Sequence, residues 1–171
     1  MILTTARLTM RPQALADAPA LFAILSDTAA MRFWNRSRIT RLAVVEDLMR
    51  EQQAAMESGL CRYWTLVRDG KAIGSVDLSL IEGGSAELGF LLRSDCWGQG
   101  LASEAVGAVI AHGFGSMGLT HVAAATQTGN RAAARVLEKN GFVHMQTRQV
   151  LLAGDERREC AFYRHEGLPQ P

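Results

Sequence analysis

The sequence predicts a mixed α/β fold in which antiparallel strands flank one parallel pair. Two turn signals, Asp69-Gly70 and Gly83-Gly84, separate three strand-like segments in the middle of the chain. A helical pattern over residues 102–117 then lies between the last of these segments and a short apolar strand at 120–126. Because a strand–helix–strand crossover makes its two strands parallel neighbours, the sheet is expected to be mixed.

The N-terminal third of the chain predicts one strand and two helices. Residues 2–12 alternate weakly between apolar and polar side chains, which is typical of a strand. Asp17 is positioned to cap a helix that begins at Ala18-Pro19, since proline is tolerated in the first helical turn. Thr40 opens a second helix that ends near Gly59.

The remaining segments bring the prediction to about seven strands and four main helices. After the first strand, strands are predicted at 62–68, 71–81, 85–93, 120–126, 142–151 and 157–164. The fourth helix, at 131–140, is followed by Gly141, which suits a left-handed C-terminal cap. The last two strands flank the turn Ala153-Gly154-Asp155.

Length and composition fit one domain spanning residues 1–171 and exclude several classes of protein. Eighteen basic and seventeen acidic residues give a net charge of +1, without the basic excess of a dedicated nucleic-acid binder. No apolar run approaches the roughly 20 residues that cross a bilayer, and arginines interrupt the N-terminal apolar pattern. We therefore expect a cytoplasmic protein with neither a nucleic-acid nor a membrane partner.

The cysteines and histidines predict neither a disulfide framework nor a metal site. Cys61, Cys96 and Cys160 are odd in number and lie far apart, so we expect partly buried free thiols. The four histidines show no metal-ligand spacing.

The segment richest in chemical information is Trp97-Gly98-Gln99-Gly100-Leu101-Ala102-Ser103, between a strand and a helix. Its glycines let backbone N–H groups approach a ligand, and the helix N-terminus adds unpaired donors that suit a pyrophosphate. An ordinary tight turn is the alternative. An NTPase phosphate loop is excluded because Leu101-Ala102 follows the second glycine, and a dinucleotide site because the next strand ends in Ala124-Ala125-Thr126 without an acidic residue.

A second informative residue is Asn130, just past the strand at 120–126 and at the start of the helix at 131–140. An asparagine there can simply cap the helix by accepting a backbone hydrogen bond. A ligand contact is the functional alternative. The order and spacing of Asn130 relative to the glycine loop favour the functional interpretation of both.

Five ordered segments carry a resemblance to a known family. They are Thr5-Ala6-Arg7-Leu8-Thr9-Met10-Arg11-Pro12, Ile73-Gly74-Ser75, Glu87-Leu88-Gly89-Phe90, the loop with its helix start at 97–105, and 130–142. The chain resembles the GNAT superfamily of acetyl-CoA-dependent N-acetyltransferases, in the branch of the Rim-type ribosomal-protein N-terminal acetyltransferases. The resemblance implies a GNAT-like mixed sheet in which a bulge splays the fourth strand away from the parallel fifth.

The resemblance also implies where acetyl-CoA, the co-substrate, binds. Its pantetheine arm would fill the splay and pair with backbone near Leu91 and Leu92, and its pyrophosphate would sit on the loop N–H groups. The implied cofactor-binding residues are Leu91, Leu92, Trp97, Gly98, Gln99, Gly100, Leu101, Ala102, Ser103, Asn130, Ala133 and Arg135. Position 133 is alanine where the family often has serine, so one side-chain contact is missing.

The resemblance implies a direct transfer in a ternary complex, with Glu87 as the general base; a packing-neutral strand glutamate is the alternative. The family's tyrosine acid would fall at Leu137, so the CoA thiolate would take a proton from water or another group, or leave unprotonated. A backbone N–H of the fourth strand would hold the oxyanion. An α-amino group, with a pKa near 8, loses its proton more easily than a lysine, with a pKa near 10.4.

The acceptor is expected to be a primary amine, by preference the α-amine of a protein or peptide N-terminus. A small-molecule amine is the runner-up, and a non-catalytic acetyl-CoA-binding module is the third possibility. Phe33, Trp34 and Arg36 lie in the segment that rims the acceptor site in the family, although an ordinary loop with an aromatic anchor is the alternative. A homodimer is also possible in this family.

Overall fold

The computed structural model describes residues 1–35, 37–151 and 156–167. Eight strands in these ranges form one mixed sheet. They are β1 Leu3–Thr4, β2 Thr9–Pro12, β3 Arg62–Arg68, β4 Lys71–Glu82, β5 Ser85–Leu92, β6 His121–Gln127, β7 Val143–Leu151 and β8 Arg157–Glu166. The α-helices of the same ranges are α1 Ala18–Leu25, α2 Thr28–Met31, α3 Leu42–Glu57, α4 Leu101–Gly115 and α5 Arg131–Lys139.

The sheet has the order β1-β2-β3-β4-β5-β6-β8-β7, with β5 and β6 as its parallel pair. This arrangement confirms the mixed sheet and the crossover through α4. Strand alternation divides the apolar side chains between two cores. One core packs Val76, Leu78 and Leu88 against α4, and the other packs Leu91 against α1 and α3.

Several element predictions differ from the structure in detail. The single strand predicted at 2–12 is split into β1 and β2 by a turn in which the Thr5 N–H donates to the Leu8 carbonyl at 2.9 Å. The short helix α2 was not predicted; the Asp27 carboxylate caps it by accepting from the Ala29 N–H at 2.8 Å. The predicted turn at 153–155 lies outside the described residues.

Asp17 precedes α1 as predicted, but its side chain does not cap that helix. The buried carboxylate instead accepts hydrogen bonds from Arg11, from the Thr65 hydroxyl at 2.7 Å and from the Ala14 N–H at 3.0 Å. Burial favours the neutral acid, but these hydrogen bonds outweigh it and lower the pKa of Asp17. Asp17 therefore fastens the start of α1 to β3 rather than closing the helix end.

The parallel pair is short, and this confirms the predicted splay. Pairing runs from Ser85↔His121 to Glu87↔Ala123 and then stops, although both strands continue. The register between β4 and β5 is unbroken alongside the splay, so the bulge expected on the splaying strand does not lie there. It lies instead in β4, where Leu80 has φ +50° and two residues face one on β5.

Candidate active site

The splay leaves a gap between β5 and β6 that opens just beyond Glu87 and Ala123. Backbone alternation determines which residues of β5 face it. The Arg93 N–H donates to the carbonyl of Ile73 in β4 at 2.8 Å, whereas the Gly84 carbonyl accepts from the Thr120 N–H on the β6 side at 2.7 Å. Odd-numbered residues of β5 therefore direct their backbone groups to β4, and even-numbered residues direct theirs toward β6 and the gap.

This alternation separates the two leucines predicted to meet the pantetheine arm. Leu92 directs its backbone into the gap, where its carbonyl already accepts the Trp97 indole N–H at 2.8 Å. Leu91 directs its backbone to β4, and its side chain packs into the core formed by α1 and α3. Phe90 was not predicted, yet both its backbone groups lie beyond the last parallel pair. The register between strands determines which backbone groups of β5 face the gap, and the sequence does not display that register.

The glycine loop joins β5 to α4 and is exposed to solvent. A 3₁₀ turn at Ser94–Cys96 is followed by Gly98 and Gly100, which have φ +72° and +77°. This left-handed region favours glycine. Because α4 begins at Leu101 with no side-chain cap, the N–H groups of its first turn, including Ala102 and Ser103, have no intrahelical acceptor. The loop and helix end can therefore cradle an anion.

Two arginines from other parts of the chain hold this loop. The Arg7 guanidinium donates to the Gln99 carbonyl at 2.8 Å, and Arg68 donates to the Gln99 side-chain oxygen at 2.6 Å. Glu104 of α4 in turn accepts from Thr5 and from the Arg7 N–H and Nε. Burial favours the neutral acid of Glu104, but these hydrogen bonds outweigh it and lower its pKa.

Two of the residues that hold the loop lie in segments that the sequence had already singled out. Arg7 and Glu104 both lie inside segments that carried the family resemblance, but nothing in the sequence joined them. Arg68 carried no signal. The two arginines also border a depression of about 390 Å³ between residues 4–9 and 67–70, beside the glycine loop. The two arginines therefore position the loop and place guanidinium groups beside it.

Asn130 caps α5, which is the structural role that the sequence analysis set beside a ligand contact. Its side-chain oxygen accepts from the Ala133 N–H at 3.2 Å, and its own N–H donates to the Gln127 carbonyl at 2.8 Å. The cap uses one lone pair of this oxygen, and the amide nitrogen is the donor that the side chain can offer a ligand. Ala133 is partly buried and Arg135 is exposed. Leu137 is 1% exposed and belongs to the core, so this position offers no acid.

A segment that we call the strap, residues 27–34, runs from the β5 side of the gap to the β6 side. At its start Asp27 accepts from the Ser94 hydroxyl at 2.7 Å. At its end the Gln127 side chain donates to the Phe33 and Trp34 carbonyls at 3.2 and 3.3 Å. The Phe33 ring also lies 3.1 Å from where a Cβ on Gly129 would be. Phe33 and Trp34 thus lie at the end of β6, and the third predicted acceptor residue, Arg36, lies outside the described residues.

Two carboxyl groups lie near the closed end of the gap. Glu87, the predicted base, belongs to the last parallel pair and is exposed. Asp77 of β4 is partly buried and faces Gly89 across the strand pair. Burial raises the pKa of Asp77 to about 7; a hydrogen bond from Ser79 opposes the rise, and the charge of Glu87 adds to it. No motif or spacing in the sequence pointed to Asp77.

Candidate metal sites and membrane-spanning helices are both absent from residues 1–35, 37–151 and 156–167. No group of three or more His, Cys, Asp or Glu side chains in these ranges is arranged to hold a metal ion. None of the helices there is long and apolar enough to cross a membrane.

Comparisons with known proteins agree on the family. The sequence profile of the Acetyltransferase (GNAT) domain matches residues 7–143. The N-acetyltransferase p20 of Bacillus licheniformis is 31% identical over 144 residues, which cover 82% of this chain and 81% of the relative. Among solved structures, a GNAT-family acetyltransferase from Bacillus anthracis superposes with a TM-score of 0.86 at 22% identity, covering 97% of this chain and 98% of the other.

A second solved structure shares the fold at still lower identity. It is RimL, a ribosomal α-N-protein acetyltransferase in complex with coenzyme A. The TM-score is 0.89 at 18% identity, with 98% of each chain covered.

Proposed function

The chain belongs to the acetyltransferase (GNAT) family, and on this basis we propose that it transfers the acetyl group of acetyl-CoA to a primary amine. The preferred acceptor in this proposal is the α-amine of a protein or peptide N-terminus. The observation that carries the proposal is the gap between β5 and β6, lined by unpaired strand backbone and followed directly by an exposed anion cradle. Strand β5 supplies hydrogen bonds to the pantetheine arm, and the glycine loop with the start of α4 supplies those to the pyrophosphate.

In the proposed complex, acetyl-CoA lies along the open edge of β5. The pyrophosphate accepts hydrogen bonds from the backbone N–H groups of residues 98–102, with Ser103 at the helix start. The loop itself is held by Trp97, Gln99 and Leu101. The pantetheine amides pair with the Phe90 carbonyl and the Leu92 N–H, and the Asn130 amide nitrogen donates from the other side. Ala133 and Arg135 border the arm on α5. A single domain, formed by the whole chain, carries this site.

The chemistry requires two protons to leave the acceptor nitrogen. A carboxylate at the closed end of the gap takes the first proton, because an ammonium has no lone pair with which to attack the thioester carbonyl. The nitrogen then bonds to that carbon, and the oxyanion is held by a β5 backbone N–H, for which Phe90 is placed. Collapse breaks the C–S bond, and the second proton neutralises the departing thiolate directly or through water.

The preference for an α-amine rests on chemistry and on a structural neighbour. An α-amine has a pKa near 8 and is the easier nucleophile at pH 7. Leu137 provides no acid, which suits an undemanding acceptor. RimL, which shares the fold, is a ribosomal α-N-protein acetyltransferase.

The positive charge around the strap limits which amines can act as the acceptor. Arg32 lies over the Phe33 ring at 5.0 Å, and Arg38 and Arg41 are exposed nearby in sequence. These cations repel polyamines and strongly basic peptide termini. We therefore expect an acceptor whose single ammonium enters the site and whose next residues are neutral or acidic.

A screen of acetyl transfer tests the proposal. The purified protein is mixed with acetyl-CoA and, in separate reactions, N-terminal peptides, free amino acids, aminoglycosides and polyamines, and free CoA thiol is measured. We expect release that depends on a peptide amine and exceeds the rate with acetyl-CoA alone. Turnover of a small amine with inert peptides would replace the acceptor but keep the chemistry. Acetyl-CoA binding without release for any amine would make the protein a binding module and refute the proposal.

A further inference from the structure

Asp77 and Glu87 lie on the same face of the sheet. Asp77 is opposite Gly89, and Glu87 is opposite Ser79, in an unbroken antiparallel register. Opposed residues share a face, and so do residues two apart on a strand. Asp77 and Glu87 are therefore diagonal neighbours, a relationship that places Cα atoms roughly 7–8 Å apart.

Gly89 gives the Asp77 carboxyl its position. A Cβ at Gly89 would lie 2.6 Å from one Asp77 carboxylate oxygen, so the carboxyl group extends over the bare backbone of Gly89. Gly89 is two residues beyond the last parallel pair, which is where β5 leaves β6. The carboxyl group therefore leans across β5 at the head of the gap.

The face that carries both carboxyls is also the face of the strap. Leu91, which alternates with Gly89 and Glu87 on β5, packs in the core of α1 and α3. Trp34 of the strap packs against the same core. An acceptor that enters beside Phe33 and Trp34 thus reaches the gap from the side on which the carboxyls lie.

We propose that Asp77 is the general base that takes the proton from the acceptor ammonium, and that Glu87 is a second carboxylate that helps to hold this cation. The proposal rests on the proposed acetyl transfer and assigns its proton acceptor. An acceptor N–H bond breaks, and the proton bonds to an Asp77 oxygen. The electron pair left on nitrogen then forms the bond to the thioester carbon. Asp77 returns its proton to solvent after the thiol has left.

The surroundings of Asp77 suit this task better than those of Glu87. Glu87 is exposed, whereas Asp77 is partly buried with a pKa of about 7. A base whose pKa lies near the working pH combines a large ionised fraction with a strong driving force for proton transfer. The charge of Glu87 is one cause of that value, because a neighbouring anion disfavours a second one.

The other ionisable groups around Asp77 come from β3 and the segment before it. Tyr63 is opposite Asp77 on β3, and the buried Cys61 thiol lies close enough for Asp77 to contribute, after burial, to raising its pKa. α1, which packs on β4, has no ionisable side chain in Ala18–Leu25. The buried side chains of α3 on this face are Val45 and Met49. Asp17 lies farther along, paired with Arg11 and Thr65.

The test is the pH dependence of kcat for the whole protein and three variants, Asp77→Asn, Glu87→Gln and the control Asp47→Asn on the exposed face of α3. We expect Asp77→Asn to lower kcat at pH 7 by about a hundredfold or more. The loss should shrink toward about pH 9, where the α-amine is already neutral. Glu87→Gln should keep an acid limb and move it to lower pH, since Asp77 loses an anionic neighbour. Asp47→Asn should match the wild type.

Each outcome decides a different question. A wild-type protein that acetylates no amine refutes the proposed function and this role together. An active wild type with an Asp77→Asn loss that is equal at all pH values, or below about threefold, refutes the base role and leaves the proposed function standing. Melting curves of the same samples identify any loss of fold. If the Glu87→Gln variant alone loses the acid limb, Glu87 is the base and Asp77 is not.

Discussion

The Glu104 carboxylate accepts hydrogen bonds from the backbone N–H and the guanidinium Nε of Arg7, at 2.8 and 2.6 Å. The contact joins the turn between β1 and β2 to the first turn of α4, across 97 positions of sequence. The same arginine reaches the Gln99 carbonyl. The geometry of the glycine loop therefore depends on a residue near the start of the chain.

Replacing Arg7 with methionine should weaken acetyl-CoA binding. The variant loses the charge-assisted hydrogen bonds to Glu104 and Gln99, and a positive charge beside the anion cradle. We expect the Kd for acetyl-CoA, measured by calorimetry, to rise about fivefold to tenfold. Arg50→Met on exposed α3 is the matched control, because Arg50 makes only local ion pairs there among the contacts described. Equal Kd values for both variants would contradict the role of Arg7.

Replacing Gly100 with aspartate should abolish acetyl-CoA binding at concentrations that saturate the wild type. The side chain brings bulk and negative charge to the place proposed for the pyrophosphate. The positive φ adds a backbone cost of roughly 1–2 kcal/mol. Gly59→Asp is the control for that cost, since Gly59 has φ +84° and open space around a Cβ. Similar melting temperatures for the two variants, with binding lost only in Gly100→Asp, are expected; retained binding would contradict the assignment.

Replacing Gln127 with leucine should affect the acceptor and spare the co-substrate. The change removes both hydrogen bonds that hold the end of the strap. We expect the KM for the peptide acceptor to rise about fivefold while the Kd for acetyl-CoA stays within about twofold, a split typical of a lost positioning contact. The exposed Gln149 of β7 offers a control in Gln149→Leu. An unchanged peptide KM would show that the strap does not border the acceptor.

Asp77 should make the stability of the fold depend on pH. Its pKa is raised from 3.8 to about 7, so the folded state binds this proton more tightly than the unfolded state. The corresponding stability is complete below about pH 4 and is lost as the pH rises through about 7. A shift of this size corresponds to about 4 kcal/mol, so Asp77→Asn should raise the free energy of unfolding by up to about 4 kcal/mol at pH 8 and change it little at pH 4. Urea unfolding at both pH values measures this; a gain equal at both would contradict the raised pKa.

The features that the sequence predicted are those written in local patterns. The meander follows from turn residues such as Asp69-Gly70, and the parallel pair follows from a strand–helix–strand order that permits one arrangement. The left-handed backbone of Gly98 and Gly100 is local too, although the position of their loop depends on Arg7 and Arg68. For these elements, the residues that determine the structure lie within a short stretch of the sequence.

The features that the sequence did not predict depend on contacts between distant residues. The sequence predicted that Asp17 caps a helix. Its carboxylate instead binds Thr65 and Arg11, and these distant contacts override the local preference for capping. Asp77 faces Gly89 only because of the register between β4 and β5. Which backbone groups near Leu91 and Leu92 face the gap depends on the same register, since a strand's alternation is visible in sequence but its phase relative to a neighbour is not.

The most direct test of acetyl transfer to an N-terminal α-amine uses one peptide with a free N-terminus and a single internal lysine. The peptide is incubated with acetyl-CoA and the protein, with Gly100→Asp as the inactive control, and the modified nitrogen is located by tandem mass spectrometry. We predict one acetyl group on the α-amine, absent with the control variant. Acetylation confined to the lysine, or an unmodified peptide beside bound and intact acetyl-CoA, would contradict the proposed function.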